Sequence, residues 1–319
     1  MTTPGTRVRN AAVSENDHGI RRLVGIEIFY FMDRWSDDQA AHFHLARRCG
    51  YDGVEISLMS GSHLDPARVR SRLDEHGLSI VCSTGLDEST DISHPDPAVR
   101  RSGVEYLKRC LETAGALGSP ILGGVVYAPW FAFPDAGDLE PYRRRSAESL
   151  REVAVAADAV GVDLCVELLN RFETYMLNTV DQGNAFLDLI GHPSVKIELD
   201  TFHMNMEEAD LADAIRETGD RLGHFQCAAN NRAMPGRGHI DWDAIATALD
   251  DVSYSGWVVV ETFPDPSVET GRSTHAWRPL VEDLIGEATE ASAFVRTHLG
   301  GTPLVSSRPP ATAPAKAPV

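Results

Sequence analysis

Four short apolar runs in this sequence each carry, at or near their ends, side chains able to bind a cation or move a proton. Glu167 closes VDLCVE, Asp200 closes VKIELD, and Glu261 follows GWVVV. LGHFQCA carries His224 and Gln226 two residues apart, which puts them on one face of an extended run. A buried carboxylate costs several kcal/mol unless it is paired or binds a metal. Three converging carboxylates have no matching set of Lys or Arg at the same run ends. A divalent cation is the natural compensation, and oxygen-rich donors suit Mn²⁺, Mg²⁺ or Co²⁺ better than a structural zinc. One strand-end Glu is more often a loop anchor than a ligand; four consecutive runs ending this way point to a site.

The elements that would position these side chains can be read from apolar patterning. Runs at 23–30, 53–58, 78–85, 120–127, 162–169, 195–200, 222–228 and 256–263 are short and rich in β-branched residues, which predicts eight strands. Amphipathic segments lie between them, and a last long helix is predicted near 276–298. Asp65 with Pro66 reads as a helix start. Cys49-Gly50-Tyr51, His76-Gly77-Leu78 and Val160-Gly161-Val162 each read as a helix ending in glycine with a strand close behind. Eight such units close most simply into an α/β fold, a single (β/α)8 barrel, in which chemistry collects at the C-terminal strand ends. The rival, an open doubly wound sheet, is disfavoured by the absence of GxGxxG after the first run. Residues 1–22 read as a flexible arm, 23–299 as the barrel, and the Pro- and Ala-rich stretch 300–319 as a disordered tail.

With 47 acidic and 29 basic residues in 319, the formal net charge is −18, a poor match to nucleic acid. No apolar run approaches a membrane span. No secretory signal pattern opens the chain. The five scattered cysteines form no CxxC pair and read as reduced thiols. Together these features predict a cytoplasmic protein.

The strings VELLNRFETY, ELDTFHMNMEE, GHFQCAANNRAMPGRGHIDW and VVVETF resemble the D-tagatose 3-epimerase / D-allulose (psicose) 3-epimerase group of xylose-isomerase-like TIM barrels. The resemblance spans most of 23–298 and is strongest over 160–263. It implies that Glu167 and Glu261 are ligands and also the acid/base pair, and that Asp200 is a ligand. It further implies that Glu173, His203 and Arg232 bind oxygens at the carbonyl end of a sugar. The epimerases carry a histidine ligand where this chain has Gln226, and usually a Glu where it has Ala229. A strand-seven Gln instead resembles the hydroxypyruvate-isomerase branch. Gln226 lies nearer the strand end than His224 and is the better placed ligand, while His224 reads as a core histidine. An amide oxygen in place of a ring nitrogen shifts preference toward harder ions, Mn²⁺ first.

The chemistry so implied is C3 epimerisation of a ketose or related polyol ketone, by proton abstraction next to a carbonyl whose enediolate the metal stabilises. Aromatic residues at the other strand ends, Tyr30 and Trp130 among them, could wall the sugar. Arg237 and His239 could approach substrate or only hold their loop. The resemblance implies a homo-oligomer, dimer or tetramer, with a hetero-oligomer as the alternative. Other readings are a hydroxypyruvate- or inosose-type isomerase, a C-glycoside-cleaving subunit and, more remotely, an apurinic-site endonuclease.

Overall fold

The computed structural model describes residues 21–59, 64–135 and 137–300. Most of the proposed arm and nearly all of the proposed tail lie outside the described residues. Arg22, grouped with the arm on composition, is buried: its guanidinium donates to the carbonyls of Tyr254 and Leu299 and pairs with Asp250.

Eight parallel strands form a closed barrel in sequence order. They are β1 Leu23–Glu27, β2 Gly53–Ser57, β3 Ser79–Leu86, β4 Ile121–Pro129, β5 Asp163–Glu167, β6 Val195–Asp200, β7 Leu222–Cys227 and β8 Trp257–Val260. β1 closes the ring on β8, with Val24 beside Val258. All eight predicted runs are present. The first is shorter than its apolar run, because pairing with β2 ends at Glu27 and Ile28–Phe31 turn into a buried 3₁₀ segment.

The helices are α1 Phe43–Arg48, α2 Pro66–His76, α3 Pro97–Leu117, α4 Glu140–Val160, α5 Val180–Ile190, α6 Thr201–Glu207, α7 Leu211–Thr218, α8 Trp242–Asp251, α9 Glu269–Ser273 and α10 Leu284–Leu299. Asp65 caps α2 by accepting from the N–H groups of Ala67 and Arg68, and Gly77 ends it in the left-handed region, as Gly161 ends α4. α10 begins later than predicted. Asp283 is its cap, accepting from Gly286 N–H, and the preceding stretch, which contains Pro279, is not helical.

The barrel interior changes character along its axis. Toward the N-terminal strand ends Val81, Ile121, Cys165, Trp257 and Val259 pack as an apolar plug. Toward the C-terminal ends Glu27, Glu55, Glu167, Glu198, Asp200 and Glu261 are all buried. All five cysteines are free and buried. Among the described residues no helix is long and apolar enough to cross a membrane.

Candidate metal and substrate site

The C-terminal ends of β5 to β8 deliver the four predicted ligands to one place. Glu167 ends β5, Asp200 ends β6, Gln226 is the penultimate residue of β7, and Glu261 follows β8 directly. Register aligns Asp200 with Gln226 and Glu167 with Glu198. Asp200 also caps α6, accepting from Phe202 N–H at 3.0 Å. Glu167, Gln226 and Glu261 line a solvent-open pocket of about 520 Å³, whose wall includes Phe29, Trp35, Trp130 and Phe263. Asp200 is wholly buried and paired with Arg232.

The electrostatics are those of crowded acid with little cation. Burial raises Glu167 well above the usual carboxylate range, and Glu198, Glu261 and Asp200 add to the rise against Arg232. Burial also raises Glu261, with Arg232 opposing and Asp200 and Glu55 reinforcing. Asp200 moves the other way: burial pushes it up, but Arg232, His203 and the Phe202 N–H outweigh it. Arg232 supplies the compensating charge, bridging Asp200 and, at 2.8 Å, Glu261 Oε2. Its guanidinium lies over the rings of Phe202 and Phe263, at 4.7 and 5.3 Å from their centroids. Its backbone has φ 68°, uncommon for a residue with a Cβ, and is held by the Thr262 hydroxyl donating to its carbonyl.

Gln226 tests whether a cation fits. Its amide lies between carboxylates. The NH₂ donates to Glu55 Oε1 at 3.4 Å, which turns the carbonyl oxygen toward Glu261 Oε2 at 3.0 Å and Glu198 Oε1 at 3.3 Å. Turning the amide over would satisfy those two and set its oxygen against Glu55 instead. In either orientation oxygen faces oxygen. About 3 Å is the spacing of neighbouring ligands around a hard cation with bonds near 2.1 Å. A divalent ion between Gln226 and Glu261 therefore suits the orientation in which the NH₂ keeps Glu55, and the donor set fits such an ion.

Sugar-binding candidates from the sequence fall into two groups. His203, Glu173, Arg232 and Trp130 line the pocket. His203 Nδ1 accepts from Asn170 N–H (3.2 Å) and lies 2.8 Å from Asn170 Nδ2, so the ring proton resides on Nε2. Nε2 has no hydrogen-bond partner and sits 3.5 Å from Glu167 Oε1. Glu173 accepts from Trp130 Nε1 at 3.0 Å and Asn170 Nδ2 at 2.8 Å. Tyr30 is a correction: it is buried in the packing, its hydroxyl donates to Leu284 O at 2.8 Å, and it does not line the pocket. Phe29, its neighbour, does. Arg237 pairs with Glu287 at 2.7 Å and His239 meets Asn205 at 3.0 Å, so both hold their loop.

Sequence reasoning passed over a second polar layer. Glu198 and His224 each lie two residues before a predicted ligand, on the same strand face, and Glu55 joins them from β2. Glu27, at the end of β1, lies in register with Glu55. The i−2 spacing was the available signal. Two groups bring one ligand atom per residue within 4.8 Å of one another: Glu167, Asp200 and His203, and below them Glu55, Glu198 and His224.

The family described as xylose isomerase-like TIM barrel matches residues 43–283. The D-psicose 3-epimerase of Agrobacterium fabrum (strain C58 / ATCC 33970) is 33% identical over 290 residues, covering 87% of this chain and 99% of that protein. The L-ribulose 3-epimerase of Mesorhizobium japonicum is 36% identical over 251 residues, 78% of this chain and 84% of that one. The crystal structure of D-psicose 3-epimerase with D-tagatose from Clostridium cellulolyticum H10 superposes with a TM-score of 0.83 at 34% identity, covering 87% and 99% of the two chains.

Proposed function

This chain belongs to the xylose isomerase-like TIM barrel family, and from that premise we propose that it is a divalent-metal-dependent ketose 3-epimerase. The observation that carries the reading is one pocket whose lining includes the buried carboxylates Glu167 and Glu261, whose strands stand three apart around the ring of eight. Two such groups can bracket a planar carbon, one taking a proton from one face and the other returning one to the opposite face. Glu167, Asp200, Gln226 and Glu261 would hold the ion, Mn²⁺ in the first instance. When bound, it would polarise the substrate carbonyl and acidify the adjacent C–H.

The remaining work belongs to side chains. His203 donates from Nε2 to a carbonyl-side oxygen, since its Nδ1 is already taken by Asn170. Arg232 donates to a second substrate oxygen. Glu173 is fixed by Trp130 and Asn170 and accepts from a hydroxyl. Phe29, Trp35, Trp130 and Phe263 pack against sugar C–H groups and keep water from the exchanged proton. The proposal carries with it a cytoplasmic homo-oligomer.

The test is proton exchange. A panel of ketoses in D₂O with Mn²⁺ is expected to gain deuterium at C3 as the C3 epimer appears. Gln226 favours a second reading, an aldose–ketose isomerase of the hydroxypyruvate type, and label at C1 or C2 would move the assignment there. A panel with no exchange at any carbon rejects both.

A further inference from the structure

We propose that Glu27 is a substrate-binding residue that hydrogen-bonds a hydroxyl of the sugar beyond C3 and makes the site select for that hydroxyl. The inference rests on the ketose reading above and extends it to the pocket wall built by β1, β2 and β3. Glu27 lines the same pocket as Glu167 and Glu261. Its Oε2 is buried with the rest of the side chain and has no hydrogen-bond partner. Its Oε1 accepts from the Ser83 hydroxyl at 3.4 Å. One oxygen is steered by the protein, and the other is left for a group that the fold does not supply. A buried polar atom left unpaired costs free energy, which a ligand in the adjoining pocket can recover. A carboxylate that serves only the scaffold is met on both sides, as Arg171 meets both oxygens of Glu207.

Strand geometry explains the placement. Side chains two apart on a strand share a face. Gly25 faces the plug, where a Cβ would come 3.3 Å from the Trp257 indole, so Glu27 faces the interior one layer higher. Val81 and Ser83 repeat the step on β3, the first in the plug and the second in the pocket. Ser57 of β2 stands in register with Ser83 and lines the same wall. The chain leaves the sheet straight after Glu27, and Phe29 in the following 3₁₀ turn adds its ring. A carboxyl, two hydroxyls and an aromatic face suit a polyol, whose hydroxyls both donate and accept while its C–H groups pack on the ring. β1 stands opposite β5 in the ring of eight. Glu173 and His203 follow β5 and β6 and take the carbonyl end in the reading above. Glu27 approaches from across the barrel and so meets a hydroxyl further along the sugar. Burial raises Glu27 well above the usual carboxylate range, with Glu55, Glu261, Glu198 and Glu167 reinforcing the rise. A hydroxyl serves either form, since it donates to a carboxylate and accepts from a carboxylic acid.

The test is a cycle between the side chain and the hydroxyl. Mn²⁺-loaded wild type and Glu27→Ala are titrated with D-psicose and its 4-, 5- and 6-deoxy analogues, binding being read from the fluorescence of the pocket residues Trp35 and Trp130. In wild type the loss of one of these hydroxyls should weaken binding about tenfold, the scale of one hydrogen bond, and in Glu27→Ala the same loss should change it by less than about twofold. Any change of ring form in an analogue affects both proteins alike and cancels in the ratio. Glu27→Gln keeps an oxygen and a donor in place and should restore a penalty for the same analogue. Melting curves establish that both variants fold. If Glu27→Ala weakens all four sugars by one common factor, leaves all four unchanged, or if no sugar of the four binds wild type, the proposal falls. Deuterium uptake at C3 is followed in parallel in D₂O. Exchange without the coupling overturns this inference and leaves the epimerase reading standing; coupling without exchange supports this inference and rejects that reading.

Discussion

The two ends of the barrel interior use the same device for opposite purposes. At the N-terminal end Trp257 fills the barrel because β1 and β2 offer glycines there: a Cβ on Gly53 would come 2.4 Å from the indole, and one on Gly25 3.3 Å. At the C-terminal end Gly123 opens the same kind of gap, and a carboxylate occupies it. Burying an indole removes roughly 150–250 Å² of largely apolar surface from water, a contribution of about 4–6 kcal/mol. Burying Glu198 beside Glu55 costs free energy until a positive charge arrives. One end therefore closes the fold by itself, while the other stores a demand that only a cation or protons can meet.

The largest effects should separate the ends cleanly. Glu261→Gln should lower kcat by about a thousandfold, the scale of a lost acid/base group. Its melting temperature should hold or rise, because a crowded negative charge has gone. Activity within tenfold of wild type would remove Glu261 from the proton transfer. Trp257→Ala is the mirror experiment. It should cost about 3–5 kcal/mol in denaturant unfolding, while the protein that remains folded keeps kcat within about twofold. A large fall in kcat at full folding would mean that the plug shapes the pocket.

Metal removal should act on one end alone. Restoring Mn²⁺ to depleted wild type at about a hundred times its dissociation constant should stabilise the fold by about 2.7 kcal/mol. The gain should shrink in Glu167→Gln and survive in a plug variant such as Val259→Ala. A gain of equal size in Glu167→Gln would place the stabilising ion elsewhere.

The same contrast explains what could be read in the sequence. The plug and the strands are legible because apolar runs of four to eight residues bounded by turns admit few other readings, and Gly77 and Gly161 mark helix ends through a conformation that favours glycine. The upper candidate ligands are legible because a lone carboxylate at the end of an apolar strand is costly and so conspicuous. Glu198 and Glu55 escaped because a charge inside a run reads as a defect in that run; only closing the barrel shows that β2, β6 and β7 bring these defects to one point. Arg232 could not be told from a surface loop arginine by spacing, since its role comes from a turn at positive φ that folds it back over Asp200. The end of β1 escaped for a related reason: the apolar run continues, but its pairing partner does not.

Tyr30 offers the smallest and most discriminating prediction. A tyrosine just past β1 reads as a sugar-facing ring, yet its hydroxyl is spent on the Leu284 carbonyl at the start of α10, tying the first strand to the last helix. Tyr30→Phe keeps the ring and deletes that bond, so it should lower stability by about 1 kcal/mol and leave KM for the ketose unchanged. Phe29→Ala, one residue earlier and on the pocket wall, should raise KM instead. If the pattern were reversed, with Tyr30→Phe changing KM, the boundary between scaffold and site would lie one residue further along the chain than the structure places it.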